Sequence, residues 1–398
     1  MTAIAVEHDT EWKEALAAEA RTRFGRFIHE WVNPGAEHRD RTGEPLPRKV
    51  LAEAGRLGLI GFSLPMEIGG YGRDKFEWGI VLEEVSRLCR DTGLASVIDM
   101  NGGVAELLQA TGRRDLVDRY AIPMAAGSFF CSPAAYENRD PFDYLTTASE
   151  DANGWRLDGS KPFVAGAQFA DAFLAYAREP ESGDILAFMV ERDDRGVRIN
   201  PLPTMGMRSM GAGSLTMDGV HLSAERLVVG ADALSTMNAY LRNRRLMTAC
   251  SALGHLRALF EACIAALADR ERGGHWVLEY PNVQRTVGEM YVAIQASRAV
   301  VHSALATTYG PRDQFFDPMA TAAKEFVGEQ AIKLGLAVMN LQGGEGYMQR
   351  NPWERYMRDA LSLIGGQGAQ ELLLIQLGQH ATWEIVQQRQ RNEPTAEA

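Results

Sequence analysis

The chain has 398 residues, of which 46% are hydrophobic and 23% charged, and a formal net charge of −11. This composition is that of a globular protein of two or three domains. The acidic balance argues against nucleic acid and against anionic membrane surfaces, since both call for basic patches. Cys89, Cys131, Cys250 and Cys263 show neither CxxC nor zinc spacing and read as reduced, mostly buried thiols. The N-terminal stretch does not read as a signal peptide, and no apolar run approaches the ~20 residues of a membrane span. A cytoplasmic location is the expectation.

Residues 1–122 are expected to form a helical domain. Trp12, Ala15, Leu16 and Ala20 recur at helical spacing, and Pro47 opens a segment striped by Leu51, Ala54 and Leu57. After an irregular, glycine-ended link over 59–72, Ile80, Leu82, Val85 and Leu88 mark a long helix whose charges Glu83, Glu84 and Arg87 read as a solvated face. Between 123 and 232 the period changes to that of strands. Asn153-Gly154 and Asp158-Gly159 are turn signals around the alternating residues 155–158. Short apolar runs follow at 173–177, 185–190, 197–199, 214–217 and 227–229, which together predict a small β-barrel or sandwich. From 233 to 398 the pattern is helical again, with segments near 245–266, 283–306, 320–341 and from 370 onward, as in a four-helix bundle. The polar tail from Arg389 is expected to lack structure. The fold class is α+β: a helical domain, a β domain and a helical bundle.

The most specific stretch lies between residues 340 and 371. Two glycine knots, Gly343-Gly344-Glu345-Gly346 and Gly365-Gly366-Gln367-Gly368, flank a charged helical segment over 352–359. Glycine admits positive φ and close approach of the backbone to a ligand. Either knot alone reads as a helix C-cap; the pair suggests a chain bent twice around something large and flat. With Asn340 before them, Tyr347 after the first and Arg355, Arg358, Asp359 and Ala360 between, they resemble the C-terminal signature of the acyl-CoA dehydrogenase family.

The resemblance covers about residues 45–385 and implies a helix–β–helix subunit, assembled as a homotetramer or dimer, with FAD at the subunit interface. It implies a small-molecule substrate, a CoA or carrier-protein thioester, and an electron-transfer or flavin-reductase partner. Arg270 falls where the family places an arginine on the cofactor pyrophosphate, and an arginine fork suits phosphate oxygens. Asn340, Gly343 and Gly344 fall where the family contacts the cofactor of a neighbouring subunit. Cys131, Pro133, Phe163, Val164, Ala165 and Gly368 fall on positions around the flavin ring, Phe163 keeping an aromatic wall.

Departures from the family pattern cluster at the reactive end. The position of the family's catalytic glutamate is Gln367, and the alternative base position, on the first long C-terminal helix, is Arg244. Neither an amide nor a guanidinium accepts a proton near neutral pH. Ala165 offers no hydroxyl to flavin N5. Glu137, Asp140, Glu371 and Tyr136 stand as replacement bases. Three functions follow. The first is an FAD-dependent oxidoreductase of an acyl thioester, in a specialised or biosynthetic pathway. The second is a monooxygenase using externally reduced FAD or FMN, since Pro162-Phe163-x-x-Gly166 resembles the oxygenase form of the family. The third is a non-catalytic partner subunit lending Asn340, Gly343 and Gly344 to another chain. His221, His255, His275 and His302 are scattered, and each reads as structural.

Overall fold

The computed structural model describes residues 3–137, 144–307 and 316–392. The N-terminal part comprises α1 (Ala3–Phe27), α2 (Ala36–Thr42), α3 (Arg48–Arg56), α4 (Lys75–Leu88), α5 (Gly93–Ala110) and the short α6 (Arg114–Leu116) and α7 (Ile122–Ala125). A capping box fixes the start of α4. The Asp74 carboxylate accepts from the Glu77 backbone N–H, and the Glu77 carboxylate accepts from that of Asp74.

Glu83 and Glu84 on α4 are not on a solvated face; they are 2% and 0% exposed. The helix is enclosed by α1 on one side and by α8 (Ala233–Ala268) and α9 (Pro281–Thr307) of the C-terminal part on the other. Side chains from those elements and from α4 itself pair with the buried acids. Glu83 takes Arg257 at 2.5 Å and His302 at 2.9 Å, while Glu84 takes Arg87 at 2.7 Å and Arg21 at 3.1 Å. The charges of α4 therefore join the two helical parts rather than face water.

The middle part is one eight-stranded sheet of β1 (Cys131–Ala134), β2 (Thr147–Asp151), β3 (Gly154–Val164), β4 (Ala172–Arg178), β5 (Ile185–Glu191), β6 (Val197–Pro201), β7 (Gly213–Leu222) and β8 (Leu227–Val229). The order is β6-β7-β3-β2-β4-β5-β8, with β1 parallel beside β4. The continuous apolar runs of β4 and β5 have a simple cause: both faces of these strands are covered. Phe173, Ala175 and Ala177 join a cluster within the sheet domain, while Ala172, Leu174 and Tyr176 pack toward α5, α7 and the start of α8.

The C-terminal part adds to α8 and α9 a two-stranded ribbon, β9 (Glu271–Arg272) and β10 (His275–Trp276), then α10 (Pro318–Gln342), α11 (Trp353–Leu361) and α12 (Gln370–Asn392). The long α8, 36 residues, is the hub and packs on α4, α5, α9 and α10. Among the described residues it alone is long and apolar enough, by length and composition, to cross a membrane. Its apolar positions Leu246, Cys250, Leu253, Leu256 and Cys263 instead lie in the shared core. Helix α12 continues through Arg389 to Asn392, beyond the point where structure was expected to end.

Candidate active site

A cavity of about 980 Å³ opens where α5, the sheet, α8 and residues 358–369 meet. It gathers six of the residues singled out from the sequence: Pro133, Phe163 and Ala165 from the sheet, Arg244 from α8, and Gln367 and Gly368 from the second glycine knot. Cys131 and Val164 do not line it. The Cys131 thiol is buried 3.6 Å from the Met189 sulfur, and burial pushes its pKa well up. Val164 points into the sheet core, because strand alternation that turns Phe163 and Ala165 to the cavity turns Val164 away. Arg270, Asn340, Gly343 and Gly344 also lie off the cavity. Arg270 donates to the Gln342 side-chain oxygen at 3.0 Å, and Asn340, Gly343 and Gly344 are exposed. The residues placed by resemblance on one cofactor thus divide, within a single chain, into an inward set and an outward set.

The second knot is held by its backbone. Gln367 has φ 62, in the left-handed region, one of two non-glycine residues with positive φ among those described. Such a conformation costs about 1–2 kcal/mol. Arg245 donates to the Gln367 carbonyl at 3.1 Å, and the buried Lys324 donates to the Gly368 carbonyl at 3.3 Å and to Glu325 at 2.9 Å. Two cations on consecutive carbonyls therefore fix where residue 367 sits, whatever its side chain.

The replacement bases fare differently. Glu137 lines the cavity, but its carboxylate is taken by the Lys161 ammonium and by the backbone N–H groups of Leu145 and Thr146. Burial raises its pKa, but the Lys161 contact outweighs that and holds it below the usual carboxylate range. Burial brings Lys161 down to about 8 even with Glu137 beside it. Tyr136 lines the cavity and is half exposed, Glu371 is exposed on α12 away from it, and Asp140 lies outside the described residues.

Two groups were missed. Asp99 on α5 lines the cavity, pairs with Arg244 and accepts from the Trp78 indole at 3.0 Å. Its signal was an acid set in the apolar run 93–105, since an unpaired acid is almost never buried. Lys324 beside the knot gave no such signal, because Glu325, Glu329 and Lys333 share its helix.

Arg358 and Asp359 of α11 join all three parts around the cavity. Arg358 binds Asp40 at 2.6 Å and the Met205 carbonyl at 2.8 Å; Asp359 accepts from Thr92 at 2.7 Å and from the Met207 backbone at 2.6 Å. A Cβ on Gly206 would meet the Arg358 backbone at 2.5 Å, so the sheet domain touches α11 through a bare backbone. Burial raises the Asp359 pKa to about 6 against the pull of these two donors.

A broad cavity with an aromatic wall and a clamped glycine turn, set between two helical parts and a sheet, suits a large, flat cofactor. The models described as the acyl-CoA dehydrogenase N-terminal, middle and C-terminal domains match residues 13–128, 139–220 and 221–382. The chain belongs to the acyl-CoA dehydrogenase family. A probable acyl-CoA dehydrogenase of Bacillus subtilis, YngJ, is 27% identical over 357 residues, covering 87% of this chain and 92% of the relative. Two solved structures share the fold. The prolyl acyl carrier protein oxidase AnaB has a TM-score of 0.86 at 20% identity, covering 93% of this chain and 98% of its own. A glutaryl-CoA dehydrogenase from Mycobacterium smegmatis in complex with FADH2 has 0.85 at 22%, covering 93% and 94%.

FAD is the cofactor, and the residues present fit it. Phe163, 41% exposed in the cavity, supplies a flat wall, and a Cβ at Gly365, Gly343 or Gly344 would meet nothing within 4 Å, leaving the backbone open to a ligand.

Proposed function

We propose that this protein oxidises an acyl thioester, CoA- or carrier-bound, without a carboxylate at either base position of its family. The observation that carries the reading is Gln367. The Arg245 and Lys324 clamps present its amide to the cavity, where it donates a hydrogen bond to a thioester oxygen but takes no proton. FAD, when bound, would supply the hydride acceptor, and the α-proton would pass to Glu137, a carboxylate on the cavity wall that Lys161 holds ionised. The chain's own residues hold the thioester, exclude water with Phe163 and the methionines 205, 207 and 247, and stabilise charge on the carbonyl oxygen. Anaerobic addition of an acyl-CoA panel to the FAD-loaded protein should bleach the oxidised-flavin band. A band unchanged across the panel would overturn the reading. It would favour the monooxygenase instead, for which Ala165, a residue with no hydroxyl facing the cavity, is the supporting observation.

The outward set belongs, on the same proposal, to a second copy of the chain. Arg270, Asn340, Gly343 and Gly344 face away from their own cavity, and Tyr291, Val292, Leu336, Ile375 and Trp383 expose a large apolar surface on α9, α10 and α12. Light scattering of the holoprotein should give a dimer or tetramer. A monomer carrying one FAD per chain would remove this part of the proposal.

A further inference from the structure

Arg244 is buried, 4% exposed, inside the cavity wall. One end of its fork is held by Asp99, and Asp99 is itself held by the Trp78 indole, so the guanidinium is fixed from α4 through α5 to α8. Its Nη2 reaches only the Ser96 carbonyl, at 3.4 Å, and its Nε–H has no acceptor among the described residues. Met100 and Met247 line the same cavity. Buried donors are normally paired, and an unpaired one on a cation in apolar surroundings is costly. A second polar point lies three turns along α8, about 16 Å away. There His255 lines the cavity, and burial brings its pKa to about 4, so that the ring is neutral.

Resting on the thioester reading above, we propose that the acyl group this protein accepts carries an oxygen acceptor of its own, which takes the free N–H of Arg244, and that plain alkyl acyl groups are disfavoured. Because Asp99 already neutralises the guanidinium, a hydroxyl or carbonyl oxygen suits the site better than a carboxylate, which would lie against Asp99. Asp99 is a positioning residue: it aims the fork and does not touch the substrate.

The test is binding, read anaerobically by stopped flow in the fast spectral phase that precedes bleaching of the flavin. Perturbation of the oxidised-flavin spectrum of the FAD-loaded protein is titrated with butyryl-CoA and with 2-, 3- and 4-hydroxybutyryl-CoA, which have the same carbon count. At least one hydroxy isomer should bind roughly ten- to a hundred-fold tighter than butyryl-CoA, the range of a hydrogen bond to a charged donor. Arg244→Met alone leaves Asp99 a buried unpaired carboxylate and destabilises the fold, so the variant to use is Arg244→Met with Asp99→Asn. Asparagine still accepts from Trp78, and flavin content reports that the fold is intact. In this variant the hydroxy and alkyl constants should converge. Butyryl-CoA binding as tightly as every hydroxy isomer in the wild type overturns the proposal, and so does a preference that survives in the double variant. If no thioester of the set perturbs the flavin, the thioester reading itself has failed, an outcome distinct from tight butyryl-CoA binding.

Discussion

Gln367→Glu should raise the rate at which an acyl-CoA bleaches the flavin by roughly 10²–10⁴-fold, the range a positioned general base contributes. The substitution is nearly isosteric, so it adds a carboxylate and little else. The left-handed backbone at this position is already borne by a residue with a Cβ, and the contacts that hold it, Arg245 on the Gln367 carbonyl and Lys324 on the Gly368 carbonyl, do not involve the side chain. Nearby Arg245 and Lys324 favour the ionised form, which is the form a base needs at neutral pH. Anaerobic stopped-flow absorbance on the FAD-loaded variant measures the effect. An unchanged rate would mean that the second knot does not bring residue 367 to the α-carbon, and the search for the proton acceptor would move to another wall of the cavity.

Glu83→Leu is expected to be among the most destabilising single changes in the chain, about 3–5 kcal/mol, because it leaves partners of a buried acid uncompensated. Arg257, Arg298 and His302 converge on this one carboxylate from α8 and α9. Burial pushes the Glu83 pKa up, but the His302 hydrogen bond and the two arginines outweigh it and hold it below the ordinary value. The sign of the pH dependence follows. A depressed carboxylate contributes its full stability above the unfolded pKa, about 4.3, and loses it as pH falls through the lower folded value. The gap in thermal midpoint between wild type and variant should therefore be widest near neutrality and narrow in acid. A gap that is small at pH 7 would show that water, not Glu83, satisfies these partners.

The order of parts was legible because periodicity is local. The apolar stripes of α4, α8, α9 and α10 and the short runs of β4 and β5 each lie within one segment, and the family signature lies within about thirty residues. What a segment packs against is not local. Glu83 and Glu84 sit on a helix with a clear apolar stripe, which predicts a wet opposite face; the structure encloses the helix with α1 and with helices that begin about 150 and about 200 residues later. Arg244 was legible as an occupied base position, but its partner Asp99 lies on another helix of another part, so that the pair cannot be read from spacing. The division of the cofactor residues into inward and outward sets has the same origin. Resemblance assigns residues to a ligand but not to the copy of the chain that holds it. Val164 and Cys131 show the finer limit: a motif names consecutive residues, while a strand presents alternate ones.

The joint made by Arg358 and Asp359 bears on how such a chain diverges. These two residues, part of the stretch through which the family is recognised, fasten the sheet domain and both helical parts to one short helix. Their work is mechanical and owes nothing to the reaction carried out eight residues further on. A lineage can therefore exchange its chemistry at residue 367 while its hinge-pin stays in place, and a search keyed on that pin retrieves architecture. On the proposals above, what sets this chain apart is written instead in Asp99, Arg244 and Gln367, three side chains that line one cavity only because the chain folds.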